Sequence, residues 1–434
     1  MRLSEFAELT SWYGWRGAHI GQSVDSLPGP AFNINSVEHV SFSTNNYLGI
    51  AACSRMKQAA IRGIETYGVG NCESRLLSGN LRIYNDLENK LAHSKGQTRA
   101  ILFATGYLAN LGALSTLPRA AQYARPFGFS PSRDHTYAYF SDEFNHISMR
   151  EGIRASGAAR TTFRHLDLDH LSALLRRSEA SSKIIVTDGV FSQEGDIAPI
   201  PELVRLAERH DAMLYIDDAH GTGILGATGG GILEHFAVAS DRIIYMGTLS
   251  KAYGAIGGFI AASALIVEVL RLACPAYGFT STLPPDQAVA VSAAIDIVGD
   301  EPERRARLWD NQRYFIESMA SSQHRLISIE TPIVPILIGD EVKAEMLAAN
   351  LRAERIHVDA ITFPAVPMNK ARVRIQINAN HRRDQIDHLV RTLTDNEHLA
   401  APRLLQCHPV GKMRQRAIRN RTGTVGRRAS RLTV

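Results

Sequence analysis

TLSKAYGAIGGF, residues Thr248–Phe259, sets one lysine, Lys251, among hydroxyl and small residues, with Gly247, Gly254, Gly257 and Gly258 close by. The run before it, DRIIYMG (241–247), is apolar and β-branched, the pattern of a buried strand. A charged lysine at the end of such a strand is costly once it is desolvated. It becomes useful when its pKa falls, because a neutral amine is a nucleophile and forms a Schiff base with an aldehyde.

The same strand pattern recurs on both sides of this stretch. RAILFATG (99–106), KIIVTDGVF (183–191), AMLYIDDA (212–219) and GGFIAA (257–262) join DRIIYMG as predicted strands. SRMKQAAIRGIETYG (54–68) and IYNDLENKLAHSKG (83–96) predict helices ended by glycine, and PELVRLAERHD (201–211) predicts one that begins at proline. Mostly apolar strands alternating with helices argue for an α/β fold with a sheet covered on both faces. The expected organisation is an N-terminal arm (1–40), a large domain (41–290), a smaller α+β domain (291–397) and a basic tail (398–434). Pro284 and Pro285 open the smaller domain's section, which carries PIVPILIG (332–339), VKAEMLAANLRAER (342–355) and ARVRIQIN (371–378) as strand, helix and strand. Residues 118–138 mix aromatic, proline and arginine residues without a period and read as a long loop, a type often functional. No internal repeat is visible.

Bulk properties narrow the class. A chain of 434 residues with 45% apolar composition can bury a large core in two or more domains. No run of 18 or more apolar residues occurs and the first residues carry no export pattern, so a cytoplasmic protein with no membrane span is expected. Cys53, Cys72, Cys274 and Cys407 are far apart and form no CxxC, which fits reduced thiols better than disulfides or zinc. The net charge of +5 is misleading. Residues 401–434 hold Lys412, eight arginines and no acid, so the preceding 400 residues carry −4. The tail reads as a disordered, solvated segment; the alternative is an arm for nucleic acid or a phosphorylated carrier.

Polar groups fall repeatedly at strand ends, where open α/β sheets bind ligands. Gly106 and Tyr107 follow RAILFAT, and Ser192 follows IIVTDGVF. Asp217 and His220 follow MLYI; Thr248 and Lys251 follow IIYMG. An aldehyde cofactor with a ring nitrogen, such as pyridoxal phosphate, needs a lysine for the imine and a carboxylate to keep the ring nitrogen protonated. It also needs hydroxyls or a helix N-terminus for its phosphate. Lys251, Asp217 and the set Thr248, Ser192 and Gly106 have these types. No GxxxxGK[ST] and no strand-to-helix GxGxxG is present, which argues against nucleotide and nicotinamide binding.

The chain resembles the α-oxoamine synthases, a group of the fold-type-I pyridoxal-phosphate enzymes, from Phe42 to His381. The resemblance rests on the order of NNYLG (45–49), SGN (78–80) with LE (87–88), ATGYLAN (104–110), FNHISMREGIRAS (144–156), DGVFSQEGDIAP (188–199), DDAHGTGILG (217–226), GTLSKAYGAIGGF (247–259), FTSTLPP (279–285) and RVRIQINANH (372–381). DDAHGTG is most similar to the 8-amino-7-oxononanoate synthase branch, and NNYLG also occurs in the glycine C-acetyltransferases. The sequence departs from the group's pattern at Tyr84, where histidine is usual, in GVGNCESR (68–75), which lacks paired glycines, and in the longer stretch 118–138. The last is expected to shape the acyl entrance.

The resemblance implies a role for each residue. Lys251 would form the Schiff base with pyridoxal 5'-phosphate and later shuttle the Cα proton. Asp217 would pair with the ring nitrogen, His220 with the ring oxygen, and His146 would stack on the ring. Gly106, Tyr107, Thr248 and Ser192 would contact the phosphate end or ring oxygen. Ser281 and Thr282 would reach the cofactor of a second subunit in a homodimer. Asn45 and Arg374 would grip the amino acid carboxylate, Arg374 as a planar fork. The implied reaction condenses a small amino acid with an acyl thioester, on coenzyme A or an acyl carrier protein, and loses CO2 to give an α-aminoketone. An aminotransferase of the same fold, or a nucleic-acid-binding protein acting through its tail, are the alternatives.

Overall fold

Two N-terminal strands, β1 (Ala31–Ile34) and β2 (Val37–Ser41), precede the seven strands of the main sheet. These are β3 (Arg99–Phe103), β4 (Tyr137–Asp142), β5 (Ala159–Phe163), β6 (Ser182–Asp188), β7 (Ala212–Asp217), β8 (Ile243–Thr248) and β9 (Gly258–Ala262). The last five are β10 (Arg325–Leu326), β11 (Ile333–Gly339), β12 (Ile356–His357), β13 (Asp359–Ile361) and β14 (Ala371–Gln376). The structure is a computed structural model that describes residues 2–16, 23–27, 29–128 and 135–401. The predicted tail beyond 401 lies outside the described residues, and residues 1–401 form one compact unit.

The main sheet has the order β3-β9-β8-β7-β6-β4-β5. Strand β9 runs antiparallel to both of its neighbours, and every other pairing is parallel. Alternate residues feed two apolar layers, one on each face. Ile101, Phe103, Ile184, Val186, Ile244 and Met246 belong to one layer, and Ala100, Leu102, Ile185, Leu214, Ile243 and Tyr245 to the other. Burial on both faces explains why β6, β7 and β8 are near-continuous apolar runs rather than alternating ones. Each of the larger aliphatic and Phe side chains contributes roughly 1.5–3 kcal/mol by leaving water. The parallel strands β3, β4, β6, β7 and β8 therefore point their carboxyl ends to one side, the side where a ligand is held in open α/β sheets.

The α/β fold class expected from the sequence is the one observed, with two strands in the main sheet beyond those predicted there. Strand β4 emerges at the end of the stretch expected to be a loop. Strand β5 sits at the sheet edge, where its ARTTF residues are largely solvated and show no apolar run. The stretch 118–138 is also corrected in its first half. Leu117–Arg119 and Arg125–Phe127 are 3₁₀ turns flanking a helical turn, Ala120–Ala124; residues 129–134 lie outside the described residues. The expected N-terminal arm contains a helix, Leu3–Arg16, and the β1–β2 hairpin. Strand β2 pairs in parallel with β12, and β11, β13 and β14 join β10 in a separate four-stranded sheet.

One half-buried histidine ties two of the site-bearing turns together. His165 comes just after β5; its Nδ1 lies 3.0 Å from Asp142 Oδ1 and its Nε2 3.0 Å from Asp196 Oδ2. Asp142 ends β4, just before His146, and Asp196 closes the turn that carries Ser192. The rings of Phe144 and Phe191 lie 4.6 and 4.5 Å from the imidazole. Burial pushes the His165 pKa down, but the two carboxylates outweigh it and raise it to about 10. The imidazolium gains its partners on folding. Its stabilisation is thus complete below the ordinary histidine value of 6.5 and is lost as pH rises through about 10. His165→Gln is expected to cost ~2–4 kcal/mol near neutral pH. In denaturant unfolding, its deficit relative to wild type should shrink as pH rises through about 10; a deficit independent of pH would refute charge as the cause.

Candidate active site

The helix Gly106–Thr116 begins directly after β3. Thr105 caps it, its hydroxyl accepting from Leu108 N at 3.1 Å. The first N–H groups of a helix have no intrahelical acceptor and carry partial positive charge, so this end suits an anion. Thr248, at the end of β8, lies beside it. Its hydroxyl donates to Gly257 O at 3.1 Å and is 2.9 Å from Ser250 Oγ. A Cβ on Gly106 would come 3.1 Å from that hydroxyl, and one on Gly258 would come 2.5 Å from Gly106 Cα. Glycine at both positions is what lets the helix start, β8 and β9 meet. Tyr107, next on the helix, is 44% exposed.

Asp217 ends β7 and is buried. Its Oδ2 accepts from Asn110 Nδ2 at 2.6 Å and its Oδ1 from Ala219 N at 3.0 Å. Asn110 also donates to Ser148 Oγ at 2.9 Å and accepts from Tyr215 OH at 2.7 Å. Ser148 Oγ in turn lies 2.7 Å from His146 Nδ1, and His146 caps the helix Ile147–Ser156. Asp217 and His146 are thereby joined through two buried side chains, Asn110 and Ser148, that strand-end position alone does not single out. Helical spacing could have found Asn110, since it lies one turn past Gly106. Burial lowers the His146 pKa, with Asp217 opposing and Lys251 assisting. A second buried carboxyl, Asp188, accepts from His146 N at 2.9 Å. Burial and then the charge of Asp217 push its pKa well up.

Lys251 Nζ lies 2.8 Å from His220 Nε2, and His220 Nδ1 lies 2.7 Å from the hydroxyl of Tyr47. Burial pulls the lysine pKa down to about 8; the carboxylates of Asp217 and Asp188 oppose this, and Arg374 adds to it. His220 is pushed well below 6.5, first by burial and then by the positive charges of Lys251 and Arg374. The amine expected from the strand-end pattern is therefore present and weakly basic.

Arg372 and Arg374 lie on the same face of β14, and their surroundings separate them. Arg372 pairs with Glu194 Oε1 at 2.9 Å and donates to Gln193 O at 2.9 Å. Arg374 donates to Ser192 O at 3.3 Å and stands 3.8 Å from Asp359 Oδ2, while its Nε is buried without a partner among the described residues. A buried guanidinium nitrogen without an acceptor is costly unless an anion arrives. Asn45 joins this corner: its Oδ1 accepts from Gln376 Nε2 at 2.5 Å. Ser192 meets Arg374 through its carbonyl. Among the described residues, no hydrogen bond links the Ser281 or Thr282 side chains to these groups, and Thr282 Oγ1 is buried without a partner.

These groups suit pyridoxal phosphate. The helix start with Thr248 suits a phosphate, Asp217 a protonated ring nitrogen, Lys251 an aldehyde, and Arg374 a carboxylate beyond them. The sequence profile of the family aminotransferase class I and II matches residues 37–393. The 8-amino-7-oxononanoate synthase of Symbiobacterium thermophilum is 39% identical over 82% of this chain and 88% of that protein. The 8-amino-7-oxononanoate synthase 1 of Bacillus subtilis is 36% identical over 84% of this chain and 90% of that protein. Among solved structures, serine palmitoyltransferase with its PLP internal aldimine superposes with a TM-score of 0.82 at 29% identity, covering 92% of this chain and 98% of that one. The 8-amino-7-oxononanoate synthase from Francisella tularensis superposes with a TM-score of 0.69 at 26% identity, covering 82% of this chain and 97% of that one. Agreement over nearly the whole length, in sequence and in backbone, places the chain in the aminotransferase class I and II family, within its α-oxoamine synthase group.

Proposed function

We propose that this chain is a C-acyltransferase that uses pyridoxal 5'-phosphate to condense a small amino acid with an acyl thioester, on coenzyme A or an acyl carrier protein. CO2 is lost and an α-aminoketone is formed. The observation that carries this reading is the pairing of a weakly basic, half-buried Lys251 amine with a half-buried Arg374 whose buried Nε has no partner among the described residues. When bound, the cofactor supplies an aldehyde for imine formation and a ring that accepts the electron pair left at Cα.

The residues divide the work. Lys251 would hold the cofactor through its aldehyde and would serve as the base for the Cα proton. Asp217, held by Asn110, keeps the ring nitrogen protonated. His220 would donate to the ring oxygen, and His146 would cover the ring. The N–H groups of Gly106 and Tyr107, with the Thr248 and Ser192 hydroxyls, hold the phosphate and ring oxygen. Arg374 and Asn45 hold the substrate carboxylate until it leaves. Ser281 and Thr282 serve the cofactor of the other subunit of a homodimer; the orphaned Thr282 hydroxyl supports this. The described helices include none long and apolar enough to cross a membrane, and we place the enzyme in the cytoplasm.

The purified chain, given pyridoxal phosphate, a small amino acid and an acyl thioester, should release free thiol and CO2 only when both substrates are present. Keto-acid-dependent amino transfer without thiol release would instead establish an aminotransferase. Lys251→Ala should reduce turnover by roughly 10²–10⁴-fold or more from loss of proton transfer alone. Arg374→Lys should raise the amino acid KM at least about tenfold, since a point charge replaces a planar fork; an unchanged KM would remove Arg374 from the substrate site.

A further inference from the structure

Tyr47 belongs to the NNYLG motif, lies 173 residues from His220 in the chain, and is fully buried. Its backbone is fixed: Tyr47 N donates to Asn45 O and its carbonyl accepts from Ala379 N, each at 2.8 Å. Its hydroxyl has two neighbours. His220 Nδ1 is 2.7 Å away, and Asn45 Oδ1 is 3.5 Å away and already accepts from Gln376 at 2.5 Å. Only the first distance is that of a strong hydrogen bond. We propose that Tyr47 is a positioning residue: its phenol donates to His220 Nδ1 and so fixes the tautomer that presents Nε2–H to Lys251 and, in the loaded enzyme, to the cofactor.

The direction of the bonds comes from the groups themselves. Burial pushes the Tyr47 hydroxyl up to about 12, so it keeps its proton and can donate. A neutral imidazole that accepts at Nδ1 carries its proton on Nε2. That N–H points at Lys251 Nζ, 2.8 Å away, and an amine accepts it only through a lone pair. An ammonium there would set N–H against N–H. The phenol thus favours the free amine across one intervening ring. Other charges act on the same pair. Asp217, Asp188 and Asp218 raise the lysine and Arg374 lowers it, while Arg374, His146 and Lys251 lower His220. None of them fixes which imidazole nitrogen bears the proton; Tyr47 does. The inference rests on Lys251 being the reactive amine, but its test uses neither amino acid nor thioester and stands apart from the acyl-transfer assay.

The test uses the full chain freed of cofactor. Nitrogen-15 NMR of the histidine-labelled protein, with His220 assigned by comparison with His220→Gln, should give an unprotonated Nδ1 and a protonated Nε2. In Tyr47→Phe the imidazole is free to turn its lone pair toward the lysine, which then gains an acceptor for its ammonium form. Competitive acetylation read at Lys251 by mass spectrometry should therefore move its apparent pKa upward by about one unit. That is a tenfold loss of free amine near neutral pH. An unchanged tautomer and an unchanged lysine profile in a folded Tyr47→Phe protein would reduce Tyr47 to packing and overturn the proposal. If that variant does not fold, a proton on Nδ1 of His220 in the wild type would overturn it alone.

Discussion

A lysine amine kept close to neutral inside the protein is the constraint on which the site depends. Burial alone would drive its pKa far down, and the carboxylates alone would hold it charged. The two effects oppose each other, and the value settles at about 8. A nitrogen so poised exchanges imine partners and moves a proton near neutral pH, which neither a solvated lysine nor one in a purely apolar pocket does well.

The sheet supplies that environment. Its central strands are apolar on both faces, so the residues just past their carboxyl ends emerge from a dry layer. Each polar group there must find a partner within the site. Asp217 finds Asn110, His146 finds Ser148, and Lys251 finds His220. Arg374 Nε finds none among the described residues, and the proposed substrate carboxylate fills that gap. Behind these groups the half-buried Asp142–His165–Asp196 clasp ties together the turns carrying His146 and Ser192.

Local order in the chain makes part of this legible. Lys251, Asp217 and His220 stand just past apolar runs, and strand ends are where polar residues gather in such sheets. Strand β5 is not legible, because an edge strand with Arg160, Thr161 and Thr162 has no apolar signature. The helical turns at 117–127 are too short to show a helical period. Arg374 and Arg372 look alike in RVRIQIN. Glu194, 178 residues from Arg372 in sequence, pairs with Arg372 at 2.9 Å, whereas Arg374 keeps a buried Nε without a partner among the described residues.

The sequence by itself determined the α/β class, the strand that ends at the lysine, and the residue types gathered at the strand ends, because these depend on periodicity and near-neighbour chemistry. Tertiary structure alone decided which groups touch: Tyr47 with His220, Asn110 with Asp217, His165 with two carboxylates. Those contacts join residues tens to hundreds of positions apart. Hydrogen-bond direction and pKa depend on atoms a few ångströms away in space, and no local pattern in the chain records them.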